Sequence, residues 1–209
     1  MRFERQDHWE ADVRPATKKL PELLSEAEYL EGERLSPIKY EFIDGHVFAM
    51  AGASKAHATI SLNVAMVLRN HLKGKPCQAY MLDLKVHIAK ARAYYYPDVL
   101  ATCDPSDLAA DAPSERVTAP CLVVEVLSPS TEATDRREKW LNYRMLPSLQ
   151  EYVLIDQARC WVELYRRSGE VWQQTVLSEP DHLLELASVG VAIPLRAVYE
   201  DVALAPLSA

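Results

Sequence analysis

Residues 119–131 read APCLVVEVLSPST and contain the clearest signal of a central β-strand in the chain. An apolar run, residues 121–124, continues through Glu125 into Val126 and Leu127. Such a run is typical of a strand that is buried on both faces in the middle of a sheet. Burying an ionised carboxylate there costs several kcal/mol unless the group is paired or bound to a metal. Glu125 is therefore the first candidate site residue.

A second carboxylate has a comparable setting in residues 94–102, YYYPDVLAT. Asp98 follows three tyrosines and Pro97 and leads into another apolar run, so a strand is predicted over residues 95–102. If the two strands are neighbours, Asp98 and Glu125 can converge on one point, as carboxylates do around Mg²⁺ or Mn²⁺. The alternative is that each acid is an edge residue or one half of a structural ion pair.

The segment after the central strand predicts a helix over residues 131–145 that places polar groups on one face. Asp135, Lys139 and Tyr143 recur at i, i+4 and i+8. Either Asp135 and Lys139 form an exposed ion pair, or Lys139 projects back toward Glu125 to orient water or stabilise developing charge. Tyr143 fits a core position equally well. Ser128 and Ser130 fit a capping turn, and no covalent nucleophile is expected.

Composition limits the class of protein. The chain has 209 residues, 49% of them hydrophobic and 25% charged, which is typical of one globular domain. A net charge of −7 argues against broad, non-specific nucleic-acid binding but permits a local basic groove or an acidic metal cluster. The charged N-terminus and the lack of a long apolar run predict a cytoplasmic protein with no membrane contact. No C-x-x-C pair occurs, so four reduced thiols are expected.

The remaining pattern predicts an α/β architecture around a mixed sheet. Residues 1–22 are interpreted as an N-terminal extension and residues 23–209 as a single domain. A short helix is predicted over residues 23–30 with Ser25 as N-cap, and Asp44-Gly45 predicts a tight hairpin turn. A longer helix is predicted to begin after Ser54 and to end at Lys73. Further strands are predicted over residues 80–88, 152–155 and 160–165, a loop over residues 104–120, and residues 183–186 stay ambiguous.

Several of these motifs occur together in an order that resembles the Uma2 family. They are YEFIDGHVFAMAGAS (residues 40–54), YYPDVLATCD (95–104), APCLVVEVLSPST (119–131), the Asp135, Lys139 and Tyr143 series, and LQEYVLID (149–156). The resemblance covers residues 23–204. It implies the restriction-endonuclease-like fold of the PD-(D/E)xK superfamily: a mixed central β-sheet flanked by helices, with an N-terminal helix and a β-hairpin.

The resemblance also implies roles for individual residues. Pro97-Asp98 matches the PD element and Glu125 the acidic element, but the position of the motif lysine is Leu127. The family pattern moves that lysine to the following helix, at Lys139, with Lys85 as the rival. Glu41 matches a family acid that either approaches the metal or lies exposed on the hairpin. His57 matches a family histidine that either touches substrate or caps its helix.

The activity implied is Mg²⁺-dependent endonucleolytic hydrolysis of phosphodiester bonds, with DNA as the expected substrate and Mn²⁺ as a substitute metal. Asp98, Glu125 and Glu41 would bind the metal, and Lys139 would position the attacking water. A homodimer is expected, because cutting a duplex needs two sites. Two alternatives stay open: a catalytically silent member that binds nucleic acid or protein, and a metal-dependent phosphoesterase acting on a small substrate. The absence of a zinc-finger or helix-turn-helix pattern leaves the target sequence unassigned.

Overall fold

The computed structural model describes residues 23–50 and 52–204, so the predicted extension over residues 1–22 lies outside the described residues. Its helices are α1 (Glu26–Leu35), α2 (Lys55–Leu72), α3 (Pro105–Leu108), α4 (Glu132–Thr134), α5 (Trp140–Tyr143) and α6 (Leu195–Val198). A 3₁₀ turn covers Ala89–Ala91, and a π-helical segment, Asp135–Lys139, joins α4 to α5. None of the helices in these two ranges is both long and apolar enough to span a bilayer.

The strands form two large sheets and one small one. They are β1 (Tyr40–Ile43), β2 (His46–Ala49), β3 (Gln78–Met81), β4 (Lys85–Ile88), β5 (Ala93–Tyr95), β6 (Val99–Thr102), β7 (Arg116–Val117), β8 (Pro120–Leu127), β9 (Glu151–Asp156), β10 (Val162–Ser168), β11 (Val171–Leu177), β12 (Leu183–Leu186) and β13 (Val191–Pro194). The orders are β11-β10-β9-β8-β6-β3, β2-β1-β5-β4-β7 and β12-β13. The β8–β9 and β4–β7 pairs are parallel, which confirms a mixed α/β fold.

Strand β8 is buried on both faces, as its apolar run predicts. One face packs under helix α2, where Ile60, Val64 and Leu68 join the core residues Leu122 and Val124. The other face, which carries Glu125, lies over a second core that reaches the five-stranded sheet. The alternation of side chains along a strand therefore directs Glu125 into the space between the two large sheets.

Two predicted strands, over residues 80–88 and 95–102, are each divided between the sheets. Leu82 and Asp83 take positive φ angles, and this turn separates β3 in the six-stranded sheet from β4 in the five-stranded sheet. The second break lies at residues 96–98, where Pro97 has no N–H to donate to a ladder. The chain crosses from β5 to β6 there, so Asp98 lies at the junction of the sheets rather than inside a strand.

The local signals for turns and caps are confirmed. The side chain of Ser25 caps α1 in a capping box with Glu28, and Ser54 caps α2. Asp44 and Gly45 both take positive φ in the β1–β2 turn. Residues 183–186 form β12, and the exposed, polar strand β11 was not predicted because its sequence carries little apolar alternation. The helix predicted over residues 131–145 is present as α4, the π segment and α5.

The expectation of four reduced thiols is wrong, because Cys77 and Cys103 form a disulfide. Strands β3 and β6 are antiparallel with Gln78 opposite Thr102, so the residues just beyond this pair face each other. Spacing along the chain does not reveal such cross-strand neighbours. Cys121 and Cys160 are free thiols, and the Cys121 Sγ lies 3.7 Å from the Cys103 Sγ.

Candidate active site

Asp98, which immediately precedes β6, lies beside Glu125 on the neighbouring strand β8. Strands β6 and β8 are antiparallel with Val99 opposite Val124, so the register carries Asp98 opposite Glu125. The Val126 N–H donates to Asp98 Oδ2 at 2.6 Å, which fixes the aspartate against β8. The strand neighbourhood on which the predicted convergence depends is thus present, and convergence of the two carboxylates on a metal stays a prediction.

Lys139 lies at the centre of a group of carboxylates. Its Nζ is 2.8 Å from Glu41 Oε1, 3.2 Å from Asp135 Oδ1 and 3.4 Å from Glu125 Oε1. The three acids come from the hairpin, the π segment and β8. Lys139 is only 5% exposed, so these contacts are poorly screened by water. The predicted projection of Lys139 toward Glu125 is found, and the exposed ion pair is not.

The helix that carries Asp135 and Lys139 is wound as a π-helix over those five residues. Single π turns inside α-helices are rare and often occur at functional sites. Here both buried residues of the segment face the carboxylate group. Arg136, on the outer side, pairs with Glu163 on β10 and with Glu132 at 2.8 Å, which holds the segment against the sheet.

Glu41 belongs to the site and not to an exposed hairpin surface. Its side chain is 13% exposed, and besides Lys139 it accepts a hydrogen bond from the Tyr96 N–H at 3.2 Å. Strand β1 pairs with β5, which ends one residue before Tyr96. The five-stranded sheet therefore brings Glu41 to the same junction as Asp98.

His57 points its ring toward Asp98, with Nε2 3.3 Å from Asp98 Oδ2. The N-cap of α2 is Ser54, whose side chain accepts from the His57 N–H, so the His57 ring is not needed as a cap. Burial by itself would lower the pKa of His57, but the hydrogen bond and the charge of Asp98 outweigh it and raise the pKa. The imidazolium form is favoured beside the aspartate.

Tyr143 is both a core residue and a neighbour of the site. Its side chain is fully buried in the second core, and its hydroxyl donates to Glu125 Oε1 at 3.2 Å. Burial, followed by the charge of Glu125, raises the pKa of Tyr143 well above its usual value, so the hydroxyl stays a hydrogen-bond donor.

The electrostatics of the site are those of a group with surplus negative charge. Four carboxyl groups, from Glu41, Asp98, Glu125 and Asp135, face one ammonium and one imidazole. Burial raises the pKa of Glu125 well above its usual range, and the neighbouring acids add to this while Lys139 opposes it. Burial would lower the pKa of Lys139, but the surrounding carboxylates raise it above normal, so the amine stays charged.

The donor set suits a hard divalent cation. Asp135 Oδ1 is buried and makes no hydrogen bond despite its closeness to Lys139, so it has an unused lone pair. Over residues 23–50 and 52–204, no three acidic, histidine or cysteine side chains are grouped as a ready-made metal cluster. Mg²⁺ typically takes one or two carboxylates and completes its shell with water and substrate phosphate. The Asp98 and Glu125 pair meets that requirement.

Lys85, the rival lysine, lies in a different buried cluster. Its Nζ is 3.2 Å from the Tyr96 hydroxyl and 3.8 Å from Glu33 Oε2. Glu33 and Tyr96 were not singled out from the sequence. Tyr96 stands in the quoted tyrosine run, but Glu33 lies on a polar helix in which nothing distinguishes a buried acid from an exposed one.

Comparisons with known proteins agree with this architecture. The family model of Uma2, described as "Putative restriction endonuclease", matches residues 26–196. The uncharacterized protein slr1290 of Synechocystis sp. (strain ATCC 27184 / PCC 6803 / Kazusa) is 38% identical over 180 residues, covering 86% of this chain and 93% of that protein. The uncharacterized protein sll1609 of the same organism is 36% identical over 157 residues, covering 75% and 87%.

A solved structure shows the same fold. It is a crystal structure from Anabaena variabilis ATCC 29413 described as "a putative nuclease belonging to DUF820", which superposes with a TM-score of 0.68 at 20% sequence identity. The match covers 83% of this chain and 96% of that one. The implied fold, a restriction-endonuclease-like α/β core, is therefore shared with that structure.

Proposed function

The chain belongs to the Uma2 family, and from that premise we propose that it is a metal-dependent endonuclease that hydrolyses phosphodiester bonds, with DNA as its substrate. The observation that carries the proposal is the group of three carboxyl groups around the Lys139 ammonium, with Asp98 beside Glu125, at the junction of the two large sheets. A purely structural ion pair would need one acid for one base. The surplus of buried acid is costly without a cation.

Each residue of the group has a defined part in this proposal. Asp98 and Glu125 would hold Mg²⁺ or Mn²⁺, and Glu41, which pairs with Lys139 in the structure, would have to turn toward them to serve as a third ligand. When bound, the cation would lower the pKa of water and neutralise charge on the phosphate. Lys139 orients the attacking water or stabilises the charge that develops on phosphorus. It also holds the carboxylates of Glu41, Asp135 and Glu125 in place. Tyr143 fixes Glu125 through its hydroxyl.

The two basic side chains, His57 and Lys139, contact different carboxyl groups of the site. His57 touches only Asp98 among the four carboxyl groups, and it lies in the first turn of α2, whose N-terminal end favours negative charge. A phosphate group of the substrate that approached Asp98 would therefore meet His57. Lys139, in contrast, is enclosed by acids and acts from inside the site.

The test is a cleavage panel with the wild-type protein, Asp98→Asn and a control, Glu151→Gln. Glu151 is a buried carboxylate three residues before Leu154, the partner of Glu125 on β9, and it bonds the amides of Ala187 and Ser188 instead of the site. Single- and double-stranded DNA and RNA are incubated with Mg²⁺, with Mn²⁺ or with EDTA. We expect DNA cleavage that needs metal, persists in Glu151→Gln and falls by more than about 100-fold in Asp98→Asn.

Other outcomes decide between the alternatives. Equal cleavage by wild type and Asp98→Asn would contradict the site. Metal binding without cleavage of any nucleic acid would favour a phosphoesterase acting on a small substrate. No metal binding and no cleavage would leave a silent member that binds nucleic acid or protein.

A further inference from the structure

A second group of buried ionisable side chains adjoins the candidate active site. Glu33 on α1, Lys85 on β4 and Tyr96 in the crossing between the sheets are each at most 6% exposed. The Tyr96 hydroxyl donates to Glu33 Oε2 and accepts from Lys85 Nζ at 3.2 Å. Lys85 Nζ and Glu33 Oε2 are 3.8 Å apart, so the positive charge of the lysine offsets the negative charge of the glutamate within the group.

Glu33 is bonded to both chain segments that carry site carboxylates. Its Oε1 accepts from the Tyr40 N–H at 2.7 Å, and Tyr40 immediately precedes Glu41. Its Oε2 accepts from Tyr96, two residues before Asp98. The Tyr96 N–H in turn donates to Glu41 Oε1 at 3.2 Å. One carboxylate on α1 thus links the chain segment that leads to Glu41 with the chain segment that leads to Asp98.

The chemistry of the group explains why an acid stands there. A buried ion pair is seldom better for stability than apolar side chains of the same volume, because both charges lose their hydration. What a carboxylate adds is two acceptor oxygens aimed at two different donors, a backbone amide and a phenol. Burial lowers the pKa of Lys85 and the charge of Glu33 opposes this.

We propose that Glu33, Lys85 and Tyr96, together named the Glu33 clamp, are positioning residues that fix the Glu41 and Asp98 carboxylates relative to each other. The inference rests on the proposed function for the meaning of that geometry, but the clamp itself is a contact network of the metal-free chain. Site groups displaced by even 1 Å lose much of their effect, so the clamp sets how well the acids share a cation.

The test compares Glu33→Gln and Tyr96→Phe with Glu151→Gln, the same substitution at a buried acid outside the clamp. The first readout is amide hydrogen exchange in the metal-free protein, corrected for global stability measured by urea unfolding. We expect the backbone amide of residue 96 to exchange roughly fivefold to tenfold faster in both clamp variants, because its hydrogen bond to Glu41 loosens. Exchange at Tyr96 in Glu151→Gln should match wild type.

The second readout is the Mg²⁺ concentration that gives half-maximal cleavage. Loss of a partner that orients a ligand typically costs about 10–100-fold in metal affinity or activity, so we expect a rise of this order in both clamp variants. A merely structural role would reduce the amount of folded enzyme and leave the Mg²⁺ requirement unchanged. Tyr96→Phe keeps the ring and the charges, so it tests the clamp even if Glu33→Gln folds poorly.

The two hypotheses fail differently. If wild type shows no metal-dependent cleavage, the proposed function fails, and hydrogen exchange at Tyr96 still decides whether the clamp exists. If wild type cleaves but both clamp variants match Glu151→Gln in exchange at Tyr96 and in Mg²⁺ requirement, the clamp is overturned.

Discussion

Lys139 contacts carboxylates from three separate elements, which makes it the residue on which the geometry of the site depends most. Removing its charge leaves Glu41, Glu125 and Asp135 facing one another in a buried space. Lys85 has one acid partner, and its loss affects the site only indirectly, through Glu33 and Tyr96. The two lysines should therefore respond differently to the same substitution.

We expect Lys139→Ala to abolish cleavage at saturating Mg²⁺ and to destabilise the metal-free protein by about 3–5 kcal/mol, because it leaves buried charges unpaired. Lys85→Ala should keep more activity than Lys139→Ala at saturating Mg²⁺. Single-turnover cleavage and urea unfolding check both statements. A larger loss of activity in Lys85→Ala would move the catalytic role to Lys85.

At the residue level, the sequence predicted those site residues whose setting is unusual along the chain. Asp98 and Glu125 stand in apolar runs, and Lys139 shares a helix face with Asp135 and Tyr143. Their convergence follows from strand order, which the resemblance supplied. Glu33 and Tyr96 could not be predicted as a pair, because their hydrogen bond joins residues 63 positions apart and no local sequence pattern indicates such a contact.

At the level of elements, the π segment is held in place by an ion pair to the neighbouring sheet. Glu163 on β10 accepts from Arg136, from Trp161 Nε1 at 3.1 Å and from the Tyr165 hydroxyl at 2.9 Å. Burial would raise the pKa of Glu163, but these donors outweigh it and lower the pKa. The carboxylate form is therefore part of the folded structure.

We expect Glu163→Gln to reduce the free energy of unfolding by about 1–3 kcal/mol at pH 7, as hydrogen bonds to a charged group are lost. Because the folded pKa is depressed, this stabilisation is fully present above the unfolded pKa of about 4.3 and is lost as pH falls through the folded pKa. The wild-type and variant curves of unfolding free energy against pH should therefore converge at acid pH.

The matched control is Glu132→Gln, which removes the exposed partner of the same arginine. Its effect should stay below about 1 kcal/mol at every pH, as for other exposed ion pairs. A difference between wild type and Glu163→Gln that stays constant down to low pH would show that the charge of Glu163 does not stabilise the fold.

The β1–β2 hairpin, which carries Glu41, depends on Gly45. Gly45 has φ +92°, and a Cβ at this position would lie 2.9 Å from the Leu23 Cβ. Gly74 also has positive φ, +78°, but has open space around it. Gly74→Ala should cost about 1–2 kcal/mol from backbone strain alone, and Gly45→Ala more, with a loss of activity as Glu41 moves. Equal costs in thermal unfolding would mean that the segment before α1, at Leu23, does not pack tightly on the hairpin turn.

The boundaries of helices and strands are predictable where a local sequence signal marks them. They are not predictable where one apolar run is divided between two sheets. The helix caps and the hairpin turn were predicted correctly, because they depend on contacts within a few residues of Ser25, Ser54 and Asp44-Gly45. Residues 80–88 and 95–102 are continuous in their apolar character. The sequence therefore does not show that each crosses from one sheet to the other.

At the scale of the whole molecule, the junction of the two large sheets is what assembles the site, and the disulfide ties the outer edge of one of them. The disulfide between Cys77 and Cys103 closes a loop that contains β3, β4, β5 and β6, with a sequence separation of 26. The predicted cytoplasmic location and the homodimer stay predictions. A disulfide is more typical of proteins in an oxidising environment, which argues against the predicted cytoplasmic location.

We expect the double variant Cys77→Ser, Cys103→Ser to lose about 3 kcal/mol of unfolding free energy relative to the oxidised wild type, as for a cross-link closing a loop of this size. Changing both cysteines prevents Cys103 from pairing with the nearby Cys121. Cys160→Ser, a free thiol, is the control for urea unfolding. A double variant as stable as Cys160→Ser would show that the cross-link contributes nothing.

The central claim is that the carboxyl groups of Asp98 and Glu125 hold a divalent cation, and calorimetric titration with Mn²⁺ tests it most directly. Wild type and the Glu151→Gln control should bind with the same affinity, and Asp98→Asn should bind at least about tenfold more weakly. Equal affinity in all three proteins, or no binding by wild type, would contradict the claim.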